Sequence, residues 1–325
     1  MGRQSSLSPA ERFACKLGLS PEESQDFVAC LQQGQSSRRA YVLTPQAPAG
    51  YRPPNVLADT PSWVGDSIFV ASPDGSADEA TATALADDYA AGLYYPLDLS
   101  SVWETAPLKL ITSPQRCLDL CSAPGGKSIL TQARLLPQMH ISNEVHPKRL
   151  GILRHNLSRC GFHHMWTQRL RPEQWSEQAP HSFDLVLVDA PCSGQSMLAK
   201  GIENPGCFNN SVVSGNAKRQ RGILNHAVQV LAPGGHLLYT TCTYAPEENE
   251  RTVAWLLRRM PQLQAVEVPE LAEFQVPDAP VPCYRLMPQK RMGAGGFTCL
   301  LKSTEESGDL PDLDDSLLAW PIAER

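Results

Sequence analysis

The segment 118–127, LDLCSAPGGK, constrains the fold of this 325-residue chain more than any other. It reads as a strand, a tight turn and the start of a helix. Glycine there lets the backbone approach a ligand closely and leaves free helix amides facing it. The pattern around it alternates. Residues 116–120 are a predicted strand, 126–135 a helix, 140–143 a strand and 147–160 a helix. Residues 183–188 (FDLVLV) form a continuous apolar strand of the kind buried on both faces. A helix over 218–231 ends at Pro233-Gly234-Gly235, followed by a strand at 236–240, a helix at 247–259 and a last strand at 296–301. Such alternation predicts an α/β protein with a mostly parallel, doubly wound sheet and ligands at the carboxyl ends of its strands.

Residues 1–91 read as a small N-terminal region, partly helical with proline-rich loops. Pro9-Ala10-Glu11 and Ser20-Pro21-Glu22-Glu23 look like helix starts, with Pro in the first turn and acids near the positive end of the dipole. Residues 44–54 are a proline-rich loop, 63–71 a short strand and 78–91 an alanine-rich acidic helix. Residues 303–325 are an acidic tail. No apolar run approaches the roughly 18 residues of a membrane span, and 1–19 lacks a signal-peptide apolar block. Met1-Gly2-Arg3-Gln4-Ser5-Ser6 fits the loose myristoylation pattern, which matches easily by chance. The expectation is a soluble cytoplasmic protein, with no membrane partner.

Ten cysteines occur, with no CxxC pair and no His tail to complete a zinc tetrahedron, so neither a metal nor a disulfide framework is expected. Cys15, Cys30, Cys117, Cys160, Cys207, Cys283 and Cys299 read as small buried hydrophobes. The net charge of −6 argues against a nucleic-acid partner until its distribution is considered. Residues 53–108 hold nine acids and no Lys or Arg, and 303–324 hold seven acids and no base. Residues 145–171 hold six Lys or Arg, four histidines and no acid. A solvated helix face is the plainer reading of that stretch, but a basic surface away from the acidic segments can also bind phosphate.

Three further features suggest chemistry. The turn made by Cys121, Ser122, Ala123, Pro124, Gly125, Gly126 and Lys127 matches neither a P-loop nor the GxGxxG dinucleotide spacing. Glu144, at the end of the next strand, can either accept ribose hydroxyls or cap the helix behind it; with the glycine turn, a nucleoside ligand is favoured. Cys192, in Asp189-Ala190-Pro191-Cys192-Ser193-Gly194, and Cys242, in Thr240-Thr241-Cys242-Thr243-Tyr244, each follow a strand; if these strands neighbour the glycine-turn strand, both thiols reach the same mouth of the sheet. A thiolate can add to an electron-poor ring carbon once its pKa is lowered or a base is at hand.

The phrases DLCSAPGGKS, NE, DAPCSG, TTCTYAPEENE and GAGGFTCLL, with GLYYPLDLSS at 92–101 before them, resemble the Sun-type (RsmB/RsmF family) RNA cytosine-5 methyltransferases. The match covers roughly 92–302, which the resemblance makes the catalytic domain. It implies a class I S-adenosylmethionine-dependent methyltransferase fold and S-adenosyl-L-methionine as cofactor. It further implies RNA (rRNA or tRNA) as partner, with no DNA. On that resemblance Cys242 adds to carbon 6 of cytosine, Cys192 assists product release, and Asp189 holds the base by its nitrogen 3 and amino edge. Residues Cys121 to Lys127, with Glu144 and Asp189, would hold the cofactor. The choice of Cys242 over Cys192 rests on the resemblance, because spacing does not decide it.

The chain also departs from the family. The usual Asp after the third strand, facing adenine, has no counterpart in Trp166-Thr167-Gln168-Arg169-Leu170-Arg171, which leaves that contact to a backbone group or Gln168. Thr243 stands where Ser is usual. No familiar RNA-binding leader is legible, so substrate choice falls to a small target, a helper protein or the stretch 145–171. The rival reading is a non-catalytic RNA-binding or ribosome-assembly factor that keeps the fold; the joint presence of Asp189, Cys192 and Cys242 argues against it. A small-molecule methyltransferase would leave the paired cysteines and the basic stretch without a use.

Overall fold

The computed structural model describes residues 7–34, 38–72, 79–318 and 320–322; residues 1–6, with the acylation pattern, lie outside these. The chain begins with helices α1 (Pro9–Lys16) and α2 (Pro21–Gln33), each opened by a serine cap closed reciprocally by a glutamate, Ser8 with Glu11 and Ser20 with Glu23. Strands β1 (Arg39–Leu43) and β2 (Ile68–Val70), helix α3 (Glu79–Ala90), strand β3 (Tyr94–Asp98) and helix α4 (Leu99–Glu104) follow. β1 lies between β2 and β3, antiparallel to both. The predicted strand at 63–71 is therefore confined to Ile68–Val70, because Pro61 to Asp66 form turns. β1 and β3 were not legible as strands; each finds its hydrogen bonds only by pairing within this small sheet.

The main domain then runs β4 (Arg116–Asp119), α5 (Gly126–Leu135), β5 (Met139–Asn143), α6 (Pro147–Cys160), β6 (Met165–Gln168) and α7 (Pro172–Gln178). It continues with β7 (Phe183–Asp189), α8 (Ser196–Ala199), α9 (Asn210–Val230), β8 (Leu231–Thr241) and α10 (Glu250–Arg259). The last elements are β9 (Leu263–Ala265), β10 (Tyr284–Leu286) and β11 (Gly296–Ser303). The strand order is β10-β11-β8-β7-β4-β5-β6, with β9 beside β11. The strands β8, β7, β4, β5 and β6 are mutually parallel, while β11 and β10 form antiparallel pairs. This is a class I methyltransferase sheet. Its order reverses at β4, so the crevice beyond the ends of β4 and β7 is where such a sheet takes ligands.

Three predicted boundaries move. α9 starts at Asn210, eight residues before the predicted helix, and Pro233-Gly234-Gly235 lies within β8 instead of ending a helix ahead of it. The irregular register between β7 and β8 and the left-handed Gly234 (φ +72°) absorb the proline. α10 starts at Glu250, because Glu247 to Asn249 form a turn.

Burial divides the cysteines. Cys30, Cys117, Cys160, Cys207, Cys283 and Cys299 are buried as expected, but Cys15 is exposed on α1. The small N-terminal sheet contributes Val42 and Tyr95, and α4 Leu99, to one core with Ile129 of α5 and Leu153 and Leu157 of α6. α1 and α2 pack Phe13 and Phe27 against Tyr244 and Ala245, just past the Cys242 turn, and Lys16 pairs with Glu247 at 2.7 Å. The tail returns along the outer edge of β6: Thr167 donates its amide to Trp320, and Ile322 donates to Met165. Among the described residues no helix is long and apolar enough to cross a membrane.

Candidate active site

At the end of β4 the buried Asp119 organises the glycine turn. Its carboxylate accepts from the Cys121 amide (3.2 Å) and the Ser128 hydroxyl (2.7 Å), while the Ser122 hydroxyl donates to its carbonyl. Burial pushes its carboxyl up to about 6. Gly125 caps α5 in the left-handed region (φ +113°), with no side chain over the first-turn amides. Gly126 leaves room for the end of the Leu97 side chain, which a Cβ there would push aside. A cavity of about 1130 Å³ opens over this turn, with Ala123, Lys127, Asp189, Cys192 and Cys242 on its wall.

The two thiols meet. Cys192 Sγ and Cys242 Sγ are 3.0 Å apart. They come from loops beyond neighbouring parallel strands, β7 and β8, and a buried polar network joins those loops. Glu248 accepts from the Ser193 amide (2.9 Å), from the Ser193 hydroxyl and from Gln220 Nε2 (2.9 Å). Thr243 shares hydrogen bonds with Ser193 and Gln195, so a threonine at this position keeps the hydroxyl the network needs. The thiols differ in charge tendency. The hydrogen bond to Cys242, reinforced by burial, raises Cys192 well above the usual thiol range. The same bond lowers Cys242, and the ammonium groups of Lys127 and Lys200 add to that effect. Cys242 is the thiol poised to ionise.

Lys127 does not face the glycine turn it belongs to. Its Nζ lies 2.7 Å from Asp189 Oδ1 and 2.7 Å from Glu104 Oε2. Asp189 Oδ1 also accepts from the Thr240 hydroxyl at 3.1 Å. Glu104 is buried on α4 and its carboxyl is pushed up to about 8 by burial, against the pull of Lys127. Sequence reasoning missed Glu104, which sits in a helix with no motif of its own. It also passed over Glu248, which stands inside TTCTYAPEENE but was given no role of its own.

Glu144 stands at the end of β5 but behind the cavity wall. It accepts from the His146 amide (2.8 Å) and pairs with Arg149 (3.1 Å), and it is Arg149 that lines the cavity. Glu144 thus braces the turn that leads into α6, and Arg149 stands between its carboxylate and the cavity. Gln168 is not available as a substitute adenine contact: it is buried and donates to the Ser316 carbonyl of the tail at 2.8 Å. The basic stretch 145–171 is not one phosphate-facing surface. Arg159 is buried, bonded to the Tyr89 and Tyr94 carbonyls and stacked 3.8 Å from the Tyr89 ring centroid. Arg154 is spent on Thr167 and the Trp320 ring. Lys148, Arg149, Arg169 and Arg171 remain exposed, as do His146, His155, His163 and His164. Among the described residues no cluster of three or more His, Cys, Asp or Glu could hold a metal ion.

Residues 108–302 match the family model described as 16S rRNA methyltransferase RsmB/F. The chain is 33% identical over 289 residues to ribosomal RNA small subunit methyltransferase F of Cronobacter sakazakii, covering 86% of this chain and 58% of that protein. To the protein of the same name from Klebsiella pneumoniae it is 31% identical over 214 residues, 65% of this chain and 44% of that one. It thus spans about half the length of the curated relatives it matches. Among solved structures, NSun6 from Pyrococcus horikoshii with SFG shares the fold at a TM-score of 0.69 and 16% identity, covering 92% of this chain and 99% of that one. A methyltransferase homolog from the same organism does so at 0.66 and 20%, covering 91% and 100%.

Proposed function

Because the chain belongs to the RsmB/F family of 16S rRNA methyltransferases, we propose that it methylates carbon 5 of a cytosine in RNA, using S-adenosylmethionine and a covalent adduct on Cys242. The observation that carries this reading is the thiol pair: Cys192 and Cys242, 3.0 Å apart, stand on the wall of one cavity with Asp189 and Lys127. A non-catalytic assembly factor has no use for a thiol so disposed.

The residues present fit the cofactor. Uncapped amides at the start of α5 suit a carboxylate, and the turn from Cys121 to Lys127 leaves room above Ala123 and Pro124. Glu144 would take the ribose hydroxyls once Arg149, whose side chain is half exposed, swings outward. When bound, the cofactor supplies an electrophilic methyl group.

Carbon 5 of cytosine is too weak a nucleophile to take that methyl unaided. Cys242 as thiolate adds to carbon 6, forming the sulfur–carbon bond and pushing an electron pair through the ring. Asp189 accepts from the amino group and, as its protonated carboxyl, would donate to nitrogen 3, where charge develops. After transfer the carbon 5 proton leaves to a base, and the sulfur–carbon bond breaks to return Cys242. Cys192, whose high pKa keeps it protonated, is placed to assist that last departure. The cytosine must be unstacked to reach the thiol, which favours loops or single strands.

Bisulfite sequencing of ribosomal and transfer RNA from cells with and without the gene tests the reading. A cytosine protected only when the gene is present is the expected result. Identical protection patterns would leave the assembly-factor reading.

A further inference from the structure

We propose that Glu104 is a positioning residue of this site: its buried carboxylate clamps the Lys127 ammonium against Asp189 and so sets how much of that positive charge reaches the Cys242 thiol. Lys127 Nζ bridges the two carboxylates at 2.7 Å each. The bridge is lopsided. The Glu104 side chain is 2% exposed and the Asp189 side chain 32%, so Glu104 is the buried end of the triad and Asp189 the end open to a base.

The surroundings leave Glu104 nothing else to do with its charge. From α5 it meets Lys127, and the Asp189 carboxylate at the end of β7 and the Cys242 thiol beyond β8 add like charge. β11 offers no ionisable group to it: a Cβ on Gly296 would strike the Glu104 carboxylate, and the Thr298 hydroxyl donates to the Glu104 backbone carbonyl. The glycine thus keeps the space this carboxylate occupies. Cys242 in turn is surrounded by Cys192, Asp189, Lys127 and Lys200. An ammonium shared between two carboxylates lends less positive potential to a nearby thiol than one bound by a single carboxylate. Glu104 therefore fixes the position of Lys127 while restraining the reactivity of Cys242.

The inference rests on reading Cys242 as the nucleophile, and its test needs neither RNA nor cofactor, so its failure is separable from a failure of methyl transfer. The full-length chain is alkylated with iodoacetamide across a pH series, and labelling of Cys242 is followed by peptide mass spectrometry. Burial pushes the Glu104 carboxyl up to about 8, so its charge competes for Lys127 in the upper part of the pH series; there Glu104→Gln removes that charge and should lower the Cys242 midpoint by up to about one pH unit, the scale of a nearby charge. Lys127→Met should raise it by a similar amount. If Glu104→Gln does not fold, Glu104→Asp, which withdraws the carboxylate by one carbon, should give a smaller downward shift. A Cys242 midpoint unchanged in the folded Glu104 variants, with only a lower melting temperature, would overturn the proposal and leave Glu104 a structural residue.

Discussion

Glu248 accepts the backbone amide of Ser193 at 2.9 Å, and through this hydrogen bond the turn carrying Cys192 is tied to the loop that follows Cys242. The carboxylate is buried and also receives the Ser193 hydroxyl and Gln220. Glu248→Ala should therefore destabilise the fold by about 1–3 kcal/mol for each buried donor left unpartnered. Urea unfolding measures this. Glu248→Gln should lie between that variant and the native protein, since an amide oxygen still accepts but the amide nitrogen meets other donors.

The thiols should divide their labour. Cys242→Ala is expected to abolish methyl transfer and form no adduct, because the ring is never activated. Cys192→Ala should still form the adduct but resolve it slowly, accumulating an RNA–protein species that survives denaturing gels. The reverse pattern would make Cys192 the nucleophile.

The basic stretch should behave as two populations. Lys148→Ala and Arg169→Ala, both at exposed positions, are expected to weaken binding of a single-stranded cytosine-containing RNA. For every phosphate left without its cation, the salt slope should become shallower by about 0.7. Arg159→Ala should instead lower the melting temperature, because this guanidinium holds the Tyr89 and Tyr94 carbonyls inside the fold. Fluorescence anisotropy across a salt series, paired with thermal melts, separates the two effects.

His140 should govern part of the acid limb of stability. It is fully buried in β5, with Nδ1 3.2 Å from Gln132 Oε1, and burial lowers its pKa from 6.5 to about 3. The unfolded chain therefore binds the proton first. Stability is fully present above pH 6.5 and is lost as pH falls toward 3, at up to about 1.4 kcal/mol per pH unit. Asp119, raised to about 6, opposes this between pH 6 and about 4, since its folded form binds the proton more tightly. Urea melts at several pH values should show a shallower acid loss in His140→Gln than in the native chain.

The legible parts of the fold were those with local causes. α5 and α6 fall where glycine and proline punctuate the sequence, and α1 and α2 where serine, proline and glutamate make caps. β1 and β3 were not legible, because neither alternates clearly and they are strands only through pairing, β3 with β1 and β1 with both β3 and β2. The start of α9 was hidden for a related reason: Asn210 to Ala217 carries few apolar residues, and Val213 packs into a patch formed by distant α1 and α2. The β8 boundary failed at Pro233, where a bulge absorbs a residue that normally stops a strand.

The site divides along the same line. The turns of the candidate site could be read from residue order: the glycine turn after β4, Asp189 and Cys192 after β7, and Cys242 after β8. The strand-turn pattern dictates that these open at one edge of a parallel sheet. What each side chain meets there came from the packing of the whole chain. Packing turned Lys127 away from its own turn toward Asp189, brought Glu104 from a separate helix to hold it, set Arg149 over Glu144, and committed Gln168 to the tail. Hydrogen bonds and ion pairs act over about 3 Å, whereas Gln168 and its partner Ser316 lie 148 positions apart in the chain. Local pattern places a residue on a strand end, but the charge it meets there is set by whatever the rest of the fold packs against it.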